Sequence, residues 1–165
     1  MSTEICFSCG VETAPGTPGV IHRYMLSTPG CWAQYGELLA REYSDPRYMA
    51  AHALTVDAYA VQHPGVEGPQ AISSVHVHLA SLIAYFERDV VLSALPTLKQ
   101  QVVAFKTSFG WLLPPSSLGE RNVGSVLAAT SPQQHRECVE AWAKSALAAW
   151  SPHHDTIRRL LDKLT

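Results

Sequence analysis

Charged residues are scarce in this chain. Only 16% of its 165 residues are Asp, Glu, Lys or Arg, whereas 47% are hydrophobic. A chain with so much apolar material and so little charge can bury a core, which excludes intrinsic disorder. The formal net charge is −2, and no Lys/Arg cluster is present. A protein that holds nucleic acid by its phosphates needs a basic surface, so we expect no nucleic-acid partner.

Long apolar runs and export signals are also missing. No apolar stretch approaches the length that crosses a bilayer, and the first ten residues lack a basic start and an apolar run. We therefore expect a cytoplasmic protein with no membrane partner. In the reducing cytosol, closely spaced cysteines bind metals more often than they form disulfides. No phosphate loop, nucleotide-binding fingerprint or nucleophile motif is visible.

The chain divides into two segments by the placement of its helix breakers. Residues 1–31 are rich in proline and glycine and have little apolar material, so something other than a core must order them. From residue 32 onward, apolar residues recur at helical spacing. The predicted helices are about 32–43, 46–63, 70–89, 96–108 and, with a kink at Pro152, 132–161.

These patterns predict an all-α fold. We expect one domain over residues 1–165, in which a zinc-knuckle segment (1–31) is attached to a four- to five-helix bundle (32–165). Trp142 and Trp150 lie on one apolar stripe of the last long helix and are predicted to face the interior. Residues 110–124, which include Pro114-Pro115, are predicted to form a loop.

Cysteines near the start carry the clearest chemical signal. Cys6 and Cys9 are separated by two residues, a spacing at which both thiolates reach one ion, and Gly10 permits the tight turn that follows. Cys31 supplies a third thiolate, and His22 is the expected fourth ligand of a structural zinc. His52 or a C-terminal histidine could replace His22. The alternative is that the cysteines are free thiols or a redox pair.

Eight histidines are many for this length, and several lie on predicted helices. One hypothesis places His63, His78 and His154 around a shared cavity, with Asp57 orienting a ligand or acting as a base. The alternative is that each imidazole is simply hydrogen-bonded at the edge of the core, for which its amphipathic ring is suited.

Several sequence strings resemble a bacterial family of uncharacterised function. They include Cys6-x-x-Cys9-Gly10, His22-x-Tyr24, Pro29-Gly30-Cys31-Trp32 and the run from Leu54-Thr55-Val56-Asp57-Ala58-Tyr59 to Gln62-His63-Pro64-Gly65. The resemblance covers most of the chain except residues 110–124. It implies a bacterial source and draws attention to His22, Asp57, His63, His78 and His154, but it implies no chemistry.

Three functional classes follow from these features. The first is a zinc-binding helical protein with structural zinc and a polar pocket between helices for a small molecule or a protein partner. The second is a metal-dependent hydrolase or transferase in which His63, His78 and His154 hold a further metal. The third is a zinc- or redox-responsive regulator that senses through Cys6 and Cys9.

Overall fold

The computed structural model describes residues 2–164. A two-stranded antiparallel hairpin opens this part of the chain, and Glu4 pairs with Thr13 across it. Eight α-helices follow within the described residues, together with three short 3₁₀ turns. The elements are β1 (Glu4–Ile5), β2 (Glu12–Thr13), α1 (Pro29–Ser44), α2 (Pro46–Met49), α3 (His52–Gln62), α4 (Pro69–Arg88), α5 (Leu95–Val103), α6 (Val123–Leu127), α7 (Pro132–Ala149) and α8 (His154–Asp162).

The mostly helical fold agrees with the sequence, but the expected number of four to five helices is wrong. The predicted helix 46–63 is divided into α2 and α3 around Ala50 and Ala51, where neither proline nor glycine marks the break. The predicted kink at Pro152 is a 3₁₀ turn, Ser151–His153, that separates α7 from α8. Proline lacks the amide proton that a continuous helix needs at this point. Helix α6 and the hairpin were not predicted.

Helix starts follow the sequence signals closely. Thr28, Asp45 and Ser131 each cap a helix whose first residue is proline, and the side chain of each accepts a backbone N–H of the first turn. Proline suits this position because its missing N–H would be unpaired there in any case. These caps fix where α1, α2 and α7 begin.

Helix α3 is the most deeply buried element and packs against α4 and α7. Trp142 and Trp150 of α7 are fully buried, as predicted. Their indole N–H groups donate to the Gln62 side chain and to the Val61 carbonyl, each at 2.9 Å. The C-terminal end of α3 is thereby fixed by α7, which positions His63 directly after it.

No helix within residues 2–164 combines the length and the apolar character that crossing a bilayer requires.

Candidate metal centre

The N-terminal hairpin holds Cys6 and Cys9 in one tight turn. The Cys6 N–H donates to Val11 O and the Gly10 N–H donates to Cys6 O, both at 2.9 Å. Gly10 has a φ of +72°, a conformation that glycine adopts without a steric cost. Both cysteines are buried. The turn therefore directs two thiols inward from a segment with little core of its own.

Cys31 comes from a second part of the chain, the first turn of α1. Its N–H donates to the Thr28 hydroxyl that caps the helix, at 3.4 Å, and its side chain is fully buried. The N-terminal end of a helix carries a partial positive charge, which favours the thiolate that a metal requires.

His63 comes from a third part, immediately after α3. Its Nδ1–H donates to the Tyr59 carbonyl at 2.7 Å, so the unprotonated nitrogen is Nε2. Nε2 lies 3.4 Å from Cys31 Sγ and 3.7 Å from Cys6 Sγ. A ligand histidine is usually oriented by such a hydrogen bond from its other ring nitrogen.

The four ligand atoms form a compact cluster. All of them lie within 4.8 Å of one another, and the sulfur atoms of Cys9 and Cys31 are 3.7 Å apart. Zn–S bonds of about 2.3 Å and Zn–N bonds of about 2.0–2.1 Å, arranged as a tetrahedron, place sulfur atoms about 3.8 Å apart and sulfur and nitrogen about 3.6 Å apart. The separations of 3.7 Å between Cys9 and Cys31, 3.4 Å between Cys31 and His63, and 3.7 Å between Cys6 and His63 are close to the edges of such a tetrahedron.

The electrostatics of the cluster favour a cation. Hydrogen bonds from the thiols of Cys31 and Cys9 hold the pKa of Cys6 well below its usual range, whereas the hydrogen bond to Cys6 raises the pKa of Cys31. For Cys9, the hydrogen bond from Cys31 lowers the pKa. The hydrogen bond to Cys6 and burial outweigh this effect and raise the pKa of Cys9 to about 12. The three thiols can thus share only limited negative charge by themselves, and a divalent ion would stabilise all three thiolates.

Tyr59 supports the cluster from outside it. Its hydroxyl lies 3.4 Å from Cys31 Sγ, and its ring stacks between those of His63 and Tyr35 at centroid distances of 3.9 and 3.8 Å. Burial raises the pKa of Tyr59, so its hydroxyl remains protonated and can donate to the sulfur. The stack restricts the His63 ring to the orientation in which Nε2 faces the thiols.

His63, and not His22, lies with the three cysteines. His22 Nδ1 instead accepts the backbone N–H groups of Tyr24 and Met25, at 3.3 and 3.1 Å, and so organises its own turn. The three cysteines expected to share one metal do lie together. His22, the expected fourth ligand, lies outside this group. His52, considered as a replacement, instead lies with Glu42, its Nδ1 2.8 Å from a carboxylate oxygen.

The shared site expected for His63, His78 and His154 is not formed. His63 lies at the cysteines, and His154 Nε2 donates to the Leu147 carbonyl at 2.8 Å. Within residues 2–164, the group of Cys6, Cys9, Cys31 and His63 is the only set of three or more metal-ligating side chains close enough to hold one ion. The histidines of this hypothesis are therefore dispersed.

Asp57 and His78 do meet, in a second polar cluster that also includes Lys99. Asp57 is fully buried; its Oδ1 lies 2.7 Å from His78 Nδ1 and 2.5 Å from Lys99 Nζ, and its Oδ2 accepts the Ser81 hydroxyl at 2.6 Å. Burial alone would raise the pKa of Asp57, but the hydrogen bond from His78 and the charges of His78 and Lys99 hold it below its usual value. Sequence reasoning missed Lys99, since a lone lysine on a helix gives no distinguishing signal.

His78 borders a cavity of about 250 Å³ between α4, α5 and the segment around Tyr24. Polar side chains of Gln70, Ser73 and Ser74 line the same cavity. Because Nδ1 is engaged with Asp57, Nε2 is the ring nitrogen that a ligand in the cavity could contact.

Comparison with known proteins gives a family but no activity. No curated protein and no solved structure matches the chain. Residues 4–151 match a family of unknown function, DUF5946. The matched range contains the four clustered ligands as well as Asp57 and His78, and it ends before His154. Because this range is most of the chain, the protein belongs to the DUF5946 family of unknown function.

Proposed function

We propose that the protein binds one zinc ion through Cys6, Cys9, Cys31 and His63, and that this zinc is structural. The observation that carries the proposal is the cluster of four ligand atoms within 4.8 Å of one another. Three thiolates and one imidazole in a tetrahedral arrangement are a ligand set that zinc prefers.

The burial of the ligands supports a structural role over a catalytic one. Each of the four residues is at most 7% exposed, and the protein supplies all four ligands of a tetrahedron. A catalytic zinc usually has three protein ligands and an open position for water or substrate. The alternative of a second catalytic metal at His63, His78 and His154 has no support in the geometry, because these histidines are dispersed.

The zinc would join three separate parts of the chain. Cys6 and Cys9 belong to the hairpin, Cys31 to the start of α1, and His63 to the end of α3. Metal binding would therefore anchor the N-terminal segment to the helical core instead of forming a knuckle closed within residues 1–31. This role requires no change of metal occupancy during function, unlike that of a zinc or redox sensor.

Metal analysis of the purified full chain tests this proposal. We expect about one zinc per chain, and X-ray absorption should show three sulfur neighbours at about 2.3 Å and one nitrogen at about 2.0–2.1 Å. Cys31→Ser and His63→Ala should lose the metal, because each removes a ligand. Cys138→Ser, which changes a cysteine outside the cluster, and His22→Ala should retain it. Full zinc in His63→Ala together with its loss in His22→Ala would refute the assignment.

A second function, small-molecule binding, is supported by the Asp57–His78 pair beside the cavity. The buried carboxylate binds Nδ1 of His78, which leaves Nε2 as the ring nitrogen that can form a hydrogen bond with a polar group of a ligand. Gln70, Ser73 and Ser74 add hydrogen-bonding groups along one wall. Together these groups suit a small polar molecule that carries a hydroxyl.

An NMR screen of small hydroxyl-bearing compounds tests the pocket. Compounds that bind should shift the signals of the His78 ring and of the Ser74 amide, and His78→Phe should abolish the shifts. His154→Phe, which alters a histidine outside the cavity, is the matched control and should bind as the wild type does. Binding that survives His78→Phe unchanged would remove the pocket from the proposed function.

A further inference from the structure

A second cavity, of about 220 Å³, lies between α4, the turn at Lys106–Ser108 and α8. Its polar lining consists of His76, Ser108, Thr156, Arg159 and Lys163. These side chains offer two cations, two hydroxyls and one imidazole, and no acidic residue of the described part of the chain lines the cavity. Its ligand is therefore expected to be an anion.

Within residues 2–164, no acidic side chain pairs with the two cations, in contrast to other arginines nearby. Arg158 pairs with Glu87 and Asp155, and Arg88 pairs with Asp162. Among the described residues, neither Arg159 nor Lys163 forms an ion pair within 4.0 Å. Arg159 contacts the Thr156 hydroxyl at 3.3 Å, and the Lys163 ammonium lies 5.8 Å from the centre of the Phe105 ring. Arg159 lies on α8 and Lys163 is its C-cap; since the two residues are four apart, their side chains lie on the same side of the helix end.

His76 gives the cavity a buried polar wall. The residue is only 3% exposed, and its Nδ1–H donates to the Ile72 carbonyl at 2.9 Å. No described protein group pairs with its other nitrogen, Nε2. The ring is held flat against Phe109, with centroids 4.3 Å apart and planes 4° from parallel. A nearly buried histidine residue, whose Nε2 has no protein partner among the described residues, distinguishes this cavity from a patch of surface lysines.

We propose that this cavity binds the oxyanion of a small organic phosphate or sulfate ester. Arg159 and Lys163 donate charged hydrogen bonds to the oxyanion, and the Thr156 hydroxyl, which accepts from Arg159, donates to a remaining oxygen. The Ser108 hydroxyl borders the cavity but donates to the Phe105 carbonyl at 2.8 Å. The apolar part of the ester lies against Phe109 and Leu160, which complete the lining. This site is independent of the zinc centre. Arg159 and Lys163 also lie beyond residue 151, where the family match ends.

The bound oxyanion couples to protonation of His76. Because Nδ1 already donates to Ile72, Nε2 can donate to an anion only when the ring gains a proton. Burial lowers the pKa of His76, the Ile72 hydrogen bond partly offsets this effect, and His153 lowers the pKa further. The other charged groups around the cavity, Arg159, Lys163 and the nearby Lys106, are also cationic and oppose protonation in the free protein. A bound anion favours the protonated form of His76, because its negative charge offsets the surrounding cations. Anion binding should therefore strengthen as the pH falls.

Titration calorimetry with sulfate and phenyl phosphate tests the site in the zinc-loaded full chain. Phenyl phosphate should bind more tightly than inorganic phosphate because its ring contacts the apolar wall. Arg159→Gln and Lys163→Gln should each weaken binding about 10- to 100-fold, the effect of losing one charged hydrogen bond. Arg158→Gln is the matched control; it removes the same charge from the same helix outside the cavity lining and should change the affinity less than threefold.

The pH dependence separates a built site from general attraction to positive charge. Sulfate does not titrate between pH 6 and 8, so tighter binding at pH 6 reports proton uptake by the protein. His76→Gln should bind sulfate with a weaker pH dependence. Equal losses in Arg158→Gln and Arg159→Gln, or a sulfate affinity unaffected by Arg159→Gln and Lys163→Gln, would overturn the proposal. Circular dichroism and zinc content of each variant establish that it is folded.

Discussion

Two buried polar clusters are built on α3, and they balance their charge in different ways. Around Asp57, the chain supplies its own cation, because Lys99 lies 2.5 Å from the carboxylate and His78 and Ser81 complete the hydrogen bonds. Around His63, three thiols converge without any cationic side chain among the clustered ligands. The first cluster is complete with protein groups alone, whereas the second would be completed by the proposed metal ion. Burial is common to both clusters, so it is the lack of a protein cation among the clustered thiols that supports the proposed metal centre.

Glu42 provides a third case that follows the pattern of Asp57. Its buried carboxylate lies 2.9 Å from His135 Nε2 and 2.8 Å from His52 Nδ1, and it accepts the hydroxyl of Thr55. The network joins α1 to α3 and α7. Like the Asp57 cluster, it satisfies a buried carboxylate with side chains from several elements.

The largest loss of stability that this comparison predicts should follow removal of the proposed metal from the His63 cluster. Removing zinc with a chelator should lower the free energy of unfolding of the whole protein by several kcal/mol, since the ligands join the hairpin to α1 and α3. Urea unfolding followed by tryptophan fluorescence measures this change, because Trp142 and Trp150 are buried in the core. A double variant, Cys6→Ser with Cys9→Ser, should already be destabilised and should not respond further to the chelator. A midpoint that the chelator leaves unchanged in the wild type would contradict the structural role.

A smaller but still large effect is expected when the Asp57 cluster is broken. Asp57→Ala leaves the Lys99 ammonium without its carboxylate and should cost about 3–5 kcal/mol of unfolding free energy. Urea denaturation of the zinc-loaded variant measures the change. Asp155→Ala, which removes an exposed carboxylate paired with Arg158, should have little effect. Similar losses of unfolding free energy in the two variants would show that the Lys99 ammonium is hydrated or paired with another group once Asp57 is removed.

The smallest effect is expected in the pH dependence of Glu42. Burial alone would raise the pKa of Glu42, but hydrogen bonds from His135, His52 and Thr55 hold it below its usual value of 4.5. Because the folded protein keeps this carboxylate charged to lower pH than the unfolded chain does, its contribution is present above pH 4.5 and is lost as the pH falls below that value. Thermal unfolding between pH 7 and pH 3 should show a shallower acid-induced decrease in Glu42→Gln than in the wild type. Parallel curves for the two proteins would contradict this role of Glu42.

Local signals in the sequence predicted much of the fold and part of the metal centre. The helix starts after Asp45 and Ser131 could be predicted because capping and proline placement depend on a few adjacent residues. Helix α1 begins at Pro29, three residues before the predicted start at residue 32. Cys6 and Cys9 could be predicted for the same reason, as their spacing fits a single ion. The division between α2 and α3 could not, because no residue that disrupts helices marks Ala50 or Ala51.

The fourth ligand of the proposed zinc site could not be predicted because its position depends on tertiary packing. His63 is 32 residues beyond Cys31 and reaches it only when the end of α3 is placed beside the start of α1. His22 lies between the cysteines in sequence and was therefore the nearer candidate. One available signal was the Gln62-His63-Pro64-Gly65 string, in which a histidine stands at the end of a helix. Its Nδ1 can then donate to the preceding turn, as it does to Tyr59.

The order of the four clustered residues along the chain has a consequence for how the proposed zinc would be acquired during synthesis. The three cysteines lie within the first 31 residues, so they leave the ribosome before any part of α3. At about 5–20 residues per second, the 32 residues between Cys31 and His63 require about 2–6 s. During this interval, the three thiols would already be available to the proposed zinc, and His63 would complete the ligand set when α3 docks. We therefore expect metal capture to precede formation of the helical core, with the zinc-bound N-terminal segment serving as the surface on which α1 and α3 come together.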